Sequence, residues 1–425
     1  MRDVRMKGFR SRTSVPNALA ILEGRTGRLP VESVHVRECV GRVAAEPIAA
    51  RIAVPHFARA AMDGYALQGE STFGANAYTP VELFVVGEVR AGRGTLPPIG
   101  KGEAVRITTG APVPEGADAV LMAEYAEEVP LDESRSAPPH NAIAIVRARE
   151  AVAPGKHVGR VGEDVPAGMS IVSAGRKLRP QDAGVLASTG ISSVPVVRRP
   201  SVRVLITGDE LVEPGNIPTE STIVDSNSVM LRALALRDGA SDVEIEYVRD
   251  AREAVYTAMR GATEDVILVS GGSSVGPEDH APLVLEELGE VAVHGVALRP
   301  ASPTGFGFLQ KGMSTQTVFL LPGNPVSCLC AYEIFAGPTV RALGGRSRAW
   351  PHRTRRCTVA AKIVSELGRT DYTRVKVEGD RVTPIMTSGA SILSSTTRAD
   401  GVVIVDEGHE GYREGEEISV FLYDD

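Results

Sequence analysis

Cysteine, aromatic side chains and any basic excess are scarce in this chain. Its 425 residues hold four cysteines, Cys39, Cys328, Cys330 and Cys357. No two form a C-x-x-C pair, which leaves zinc and thioredoxin-type chemistry without a motif. Cys328 and Cys330 fall in an apolar helical segment and read as small core residues, so a reduced, cytoplasmic protein is expected. Aromatics make up 4 % of the chain, too few for the stacking platforms that single-stranded nucleic acid requires. The 46 basic residues are outnumbered by 53 acidic ones, for a formal charge of -7. No surplus exists to neutralise a phosphate backbone, so an anionic substrate must be held by local groups. Nor is there a run of about 20 apolar residues that would predict a membrane span. The N-terminus, MRDVRMKGFRSRTSV, lacks an apolar stretch behind its charges, so no signal peptide is expected.

What is present is ordinary globular composition, 43 % hydrophobic and 23 % charged, over a length that predicts several domains. Residues 1–198 read as a β-rich N-terminal and linker region of two interleaved lobes. A helix is expected over 14–29, with Ser14 at its N-cap and Pro16 in its first turn. EEVPLDESRSAPPHNAIAIV, with its polar, proline-bearing middle, reads as an exposed hairpin. From Arg199 the pattern changes. Strand-like SVRVLITGDE, DVEIEYVRD, DVILVSGG and TVFLLPG alternate with helix-like SNSVMLRALALRDGA, AREAVYTAMRGA and APLVLEELG. That alternation predicts a doubly wound parallel α/β sheet over 199–345. Short strand candidates over 346–425 predict a small C-terminal β-barrel.

In an open parallel sheet, ligands bind beyond the carboxyl ends of the strands. Polar loops fall there at Thr207–Leu211 (TGDEL), Arg249–Asp250, Ser270–Asp279 (SGGSSVGPED) and Leu321–Ser327 (LPGNPVS). A further polar turn is read over Leu298–Gly307 (LRPASPTGFG). Gly271, Gly272 and Gly276 permit positive φ and close backbone approach, so successive N–H groups can cradle a phosphate or oxyanion. No Lys follows them, so this is not a P-loop. Asn324 can cap the next helix, with Pro325 in its first turn. Alone, the glycine-rich loop is equally well a ligand-free turn, and the LPGNPVS loop reads as plain helix capping. The acids shift the balance: Glu210, Asp250 and Asp279 fall on the same edge. Carboxylates beside an anion cradle are unfavourable unless a cation such as Mg²⁺ lies between them. Arg299 supplies positive charge to face an oxyanion.

Six ordered motifs, ARAAMDGYAL, TTGAPVPEGADAVLMAE, TGDEL, VDSN, SGGSSVGPED and LPGNPVS, resemble those of the MoeA family of molybdopterin molybdenumtransferases, which includes the gephyrin E domain. The resemblance covers nearly the whole chain. It implies a Mg²⁺-dependent transferase of molybdenum cofactor biosynthesis that takes adenylylated molybdopterin and molybdate, releases AMP and acts as a homodimer. Asp63 of MDGY would then reach the cleft of a partner chain as a catalytic residue beside Glu210, Asp250 and Asp279, with Glu210 and Asp279 as metal ligands. Asp164 also matches a family acid. Substrate-binding positions implied are Thr207, Gly208, Asp225, Ser226, Asn227, Ser270, Gly271, Gly272, Ser273, Gly276, Arg299, Ser302, Pro322, Gly323, Asn324 and Pro325. The pyrophosphate would lie on the 271–276 loop, and molybdate near Arg299, Ser302 and the 322–325 turn. A molybdopterin adenylyltransferase and molybdoenzyme apoproteins are the partners this implies.

Two departures stand out. Many relatives read GGVSVG where this chain has Gly271-Gly272-Ser273-Ser274-Val275-Gly276, a change that keeps the backbone cradle. Many also have K-P-G-K-P where this chain has Arg299-Pro300-Ala301-Ser302-Pro303, so one cation is lost at Ser302. Arg160, Arg176, Arg374 or a serine of GASILSSTTR are the replacements considered. The lost charge admits a non-catalytic molybdopterin carrier as an alternative. A molybdopterin adenylyltransferase is a second alternative, disfavoured by the lack of a TGGTG-type loop.

Overall fold

The computed structural model describes residues 12–92, 98–131, 138–272, 279–312, 314–386 and 389–423. The chain divides into two compact units: Ser33–Val194, and the segments up to Glu32 and from Pro195 onward.

The Ser33–Val194 unit contains a six-stranded mixed sheet. Its strands are β1 (Gly64–Leu67), β2 (Val81–Val89), β3 (Glu103–Ile107), β4 (Ala119–Met122), β5 (Ala126–Val129) and β6 (Ala144–Ala148), in the order β4-β1-β3-β2-β6-β5. Only β2 and β3 run parallel. Strands β5 and β6 form the hairpin expected around the polar 130–143 stretch. A second part of the unit pairs Ile48–Ala49 with Ser170–Val172 and carries the helix Pro180–Ser188. Asp182 stabilises the start of that helix by accepting from the Arg179 N–H at 2.9 Å and pairing with Arg176 at 2.9 Å.

The other unit is built on the sheet β7 (Val202–Thr207), β8 (Val243–Val248), β9 (Val266–Ser270), β10 (Glu290–His294), β11 (Gly305–Lys311) and β12 (Ser314–Leu321), ordered β8-β7-β9-β12-β11-β10. The first four strands in that order are parallel, and β11 and β10 close the edge antiparallel. Strand alternation assigns each residue to a face. Val204, Ile206 and Leu268 join Leu231 and Ala235 of the helix Asn227–Asp238 and the apolar helical run from Pro325 to Leu343 in one core layer. Leu205, Ile267 and Val269 point the other way, onto Val255 and Met259 of Arg252–Gly261 and Val284 and Leu285 of Ala281–Leu288. Those two layers are the doubly wound arrangement read from the sequence.

Three refinements have physical reasons. The first helix spans Val15–Arg25 rather than 14–29, and its Val15, Ala18 and Leu22 belong to the α/β core. The polar turn expected over 298–307 ends at Thr304, because β11 begins at Gly305. The glycines there mark close strand contact instead of a turn: a Cβ at Gly307 would lie 1.9 Å from the Glu290 carbonyl oxygen. After Gly345, the strands β13 (Arg353–Val359), β14 (Thr370–Glu378), β15 (Arg381–Met386), β16 (Gly401–Val405) and β17 (Glu417–Leu422) close on themselves through β14–β16 pairing, which makes a five-stranded barrel. Leu298–Arg299 pairs with Thr370–Asp371 and so attaches to that barrel sheet.

Candidate functional site

The carboxyl ends of β7, β9 and β12 converge. Gly208 has φ +143, a backbone conformation that L side chains rarely adopt, so the Thr207-Gly208 turn favours glycine, and the Glu210 carboxylate folds back over it. Gly271 has φ +92, and a Cβ would lie 2.4 Å from the Thr207 carbonyl oxygen. The two loops are therefore pressed backbone to backbone. Gly271 N–H donates to Leu321 C=O at 3.2 Å, which ties in the 322–325 turn.

These loops enclose a cavity of about 690 Å³. It is lined by Thr207, Gly208, Glu210, Asp225, Ser226, Asn227, Asp250, Ser270, Gly271, Gly272, Asp279 and the Pro322–Pro325 turn, with Leu211, Ile223, Val224, Pro303 and Ser391. The sequence-derived positions from 207 to 279 and 322 to 325 are thus brought together, except Ser273 and Gly276, which lie outside the described residues. Asp225 is buried and directs its carboxylate inward. It accepts from the N–H groups of Asn227 at 2.8 Å and Ser228 at 3.3 Å, and from the Tyr247 hydroxyl at 3.0 Å. It caps the helix at the cavity wall.

Arg299 and Ser302 line a second cavity of about 800 Å³, together with Arg12, Ser327, Arg369 and Gly389–Ala390. Pro303, Pro322 and Asn324 belong to both walls. Three elements supply its cations. Thr13 bridges to Val296 and brings Arg12 to the rim. The 298–299/370–371 register sets Arg299 opposite Asp371. Buried Asp371 accepts from Arg299, from Arg369 Nε at 3.1 Å and from Ser365 Oγ at 2.8 Å. One carboxylate thus fixes two guanidinium groups. Arg299 Nε and Arg369 Nη2 are buried donors with no hydrogen-bond partner among the described residues.

Other residues considered for the missing charge lie elsewhere. Arg374 is fully buried and lines neither cavity. It donates to Ser395 Oγ at 2.9 Å and Gly389 C=O at 3.4 Å, so it braces the 389–395 segment from inside. Arg160 and Arg176 belong to the Ser33–Val194 unit, as does Asp164, whose N–H donates to Val54 C=O at 3.0 Å. Arg12, Arg369 and Ser391 line the cavities without a local sequence signal that singles them out as binding residues. Ser391 falls within the serine-bearing stretch already considered.

Asp63 lies in the Ser33–Val194 unit, in a constrained turn. A Cβ at Gly64 (φ +153) would sit 1.9 Å from Leu121 C=O, so the Asp-Gly step is sterically required. Asp63 Oδ1 accepts from Thr109 N–H at 2.6 Å and Thr109 Oγ1 at 2.9 Å. Those bonds, the backbone one first, hold its exposed carboxyl below the usual range. The MDGY and TTGAPVP motifs are thereby one structural feature.

Comparison with known proteins agrees with this architecture. Residues 13–190 match the MoeA N-terminal region (domain I and II), 203–342 a probable molybdopterin binding domain, and 356–423 the MoeA C-terminal region (domain IV). The chain is 34 % identical over 404 residues to a putative molybdopterin biosynthesis protein of Methanocaldococcus jannaschii, covering 92 % of each. It is 30 % identical over 399 residues to the molybdopterin molybdenumtransferase of Bacillus subtilis, covering 92 % of this chain and 89 % of that one. The solved structure of a molybdopterin biosynthesis MoeA protein from Pyrococcus horikoshii superposes with a TM-score of 0.80 at 34 % identity, covering 98 % of this chain and all of the other. The chain belongs to the MoeA family.

Proposed function

We propose that this chain is a molybdopterin molybdenumtransferase. It takes adenylylated molybdopterin and molybdate, releases AMP and leaves molybdenum on the dithiolene sulfurs. The observation that carries the reading is the adjacency of two cavities of opposite character. One is bounded by glycine backbone and four carboxylates, the other by three arginines, and they share Pro303, Pro322 and Asn324. The pyrophosphate belongs at Gly271–Gly272 and the 322–325 turn, where Gly272, Gly323 and Asn324 carry the backbone N–H groups that would face it. The oxyanion belongs beside Arg299 and Arg369. There the pair with Asp371 orients the forks, and Arg12 supplies the charge that Ser302 lacks.

Glu210 and Asp279 are the residues that would hold Mg²⁺, with Asp250 near. Among the described residues no group of three His, Cys, Asp or Glu stands ready to hold a metal alone. The donor set fits Mg²⁺, which binds through one or two carboxylates and completes its shell with substrate phosphate and water. When bound, the ion supplies charge neutralisation at the phosphoryl oxygens. The same family membership supports a cytoplasmic homodimer in which Asp63 serves the cleft of a second copy, and exchange with a molybdopterin adenylyltransferase and with molybdoenzyme apoproteins. Among the described residues, no helix is long and apolar enough to cross a membrane.

The test is AMP release from adenylylated molybdopterin by the purified chain, with and without molybdate and Mg²⁺. Release that needs both is expected, and Glu210→Ala or Asp279→Ala should abolish it with the fold intact. Tight pterin binding without AMP release would make the chain a carrier. Mixing inactive Asp63→Ala and Glu210→Ala proteins should restore activity, and failure to do so would place Asp63 in its own chain's cleft or outside the reaction.

A further inference from the structure

The 322–325 turn forms the wall common to both cavities, and its position depends on one side chain. Asn227 is the first residue of the helix Asn227–Asp238 and is 6 % exposed. Its Nδ2 donates to Ser270 Oγ at 2.9 Å and to Gly323 C=O at 2.8 Å. An amide nitrogen has two hydrogens, so both are committed. The Gly323 carbonyl can only accept, which fixes the orientation of the amide. The backbone of Asn227 is itself held, because its N–H donates to Asp225 Oδ1 at 2.8 Å and Asp225 is anchored by Tyr247. The side chain therefore joins the helix start, the strand end before Gly271 and the turn between Pro322 and Asn324. These elements lie 43 and 96 residues away in sequence.

A side chain with both donors so committed has only Oδ1 left to offer a substrate, and that atom is buried with no partner among the described residues. We infer that Asn227 is a positioning residue that acts through Gly323 on the shared wall, and so governs oxyanion binding in the second cavity, which it does not line. This rests on the proposed placement of the oxyanion. It separates Asn227 from residues that touch one substrate alone, because the turn it holds serves both cavities.

The experiment compares full-length wild type, Asn227→Ala and Ser270→Ala, with Asn227→Ser in reserve should the alanine variant not fold. Molybdate binding is measured by calorimetry, KM for each substrate by AMP release, and local opening by amide hydrogen exchange. Loss of the tie should raise the molybdate Kd and KM on the order of tenfold. The KM for adenylylated molybdopterin, whose pyrophosphate is placed on the same turn, should rise as well. Exchange at Val326 and Cys328, just beyond the turn, should quicken while the 202–207 strand stays protected. Ser270→Ala, which leaves the Gly323 bond, should leave exchange at 326–328 unchanged. A rise in pterin KM alone, unchanged exchange at 326–328 in Asn227→Ala, or equal quickening there in Ser270→Ala would each overturn the inference. Wild type that binds no molybdate would refute the oxyanion placement instead, and the exchange comparison would still decide whether Asn227 holds the turn.

Discussion

Replacing Gly271 by alanine separates two costs that the structure assigns to different sources. At φ +92 an L-residue is strained whatever surrounds it, and the new Cβ would also lie 2.4 Å from the Thr207 carbonyl oxygen and 2.8 Å from its Oγ1. The backbone cost is about 1–2 kcal/mol. Overpacking against main chain that cannot swing aside adds about 1–3 kcal/mol. Gly215 is the control: its φ is +97, yet a Cβ there would meet nothing within 4 Å. Gly215→Ala should therefore show the backbone cost alone. Both glycines belong to the same unit, so denaturant unfolding followed by one probe of that unit compares them directly. Gly271→Ala should be less stable than Gly215→Ala by about 1–3 kcal/mol, with an unchanged slope. It should also lose AMP release, because relief of the contact moves the TGDEL and SGG loops apart. Equal stabilities for the two variants would refute the backbone-to-backbone packing on which the first cavity depends.

Other consequences follow for the same unit. Ala301 is buried at φ +98, a left-handed conformation that favours glycine. Ala301→Gly, which relieves that backbone, should cost about 1–2 kcal/mol less than Ala235→Gly in a helix, and equal costs by denaturant titration would contradict the strain. Asp371→Asn leaves two arginines without their shared counter-charge. It should destabilise by about 2–3 kcal/mol, below the usual cost of breaking a buried pair because both guanidinium groups keep some solvent contact. Thermal unfolding checks this. Burial alone would raise the Glu333 carboxyl, but hydrogen bonds and charge from His352 and Arg237 bring it down from 4.5 to about 2. A depressed acid stabilises the fold above its unfolded pKa, and that stability is lost as pH falls from about 4.5 towards 2. Glu333→Gln should flatten the pH dependence of unfolding across that window, and an undiminished slope would locate acid sensitivity elsewhere.

Much of the first cavity was legible in the sequence because its parts are local. Gly208, Gly271 and the Asn324-Pro325 step each announce a turn at the end of a strand, and strand alternation alone sets which faces are buried. The parallel-sheet rule then brings those loops to one edge without any knowledge of contacts. Asp63 was legible only through the family motif, since an exposed Asp-Gly reads locally as a turn. The second cavity was legible only in part: Arg299 and Ser302 were read from the sequence, and its other cations were not. Arg369 and Asp371 look like the start of one more barrel strand, and their role depends on pairing with Leu298–Arg299, 72 residues earlier. Arg12 depends on the Thr13–Val296 bridge, which no local pattern signals. Asn227 was placed at this edge by its motif, but motif matching reports position and not where two amide hydrogens point.

The same geometry bears on how a chain that departs at residues 299–303 keeps the proposed anion site. A lysine contributes a mobile charge from wherever its stem is rooted, whereas Arg299 is set by strand register against Asp371 and shares that carboxylate with Arg369. The carboxylate cancels one of the two charges but fixes both forks, and a planar donor fixed in advance gives up less freedom on binding than a lysine does. The Ser302 position can then lose its charge, provided the barrel and the α/β sheet remain in register. Charge at this site is consequently a property of the junction between the two folds within the unit, and residues at 368–371 should tolerate substitution less than Ser302 itself.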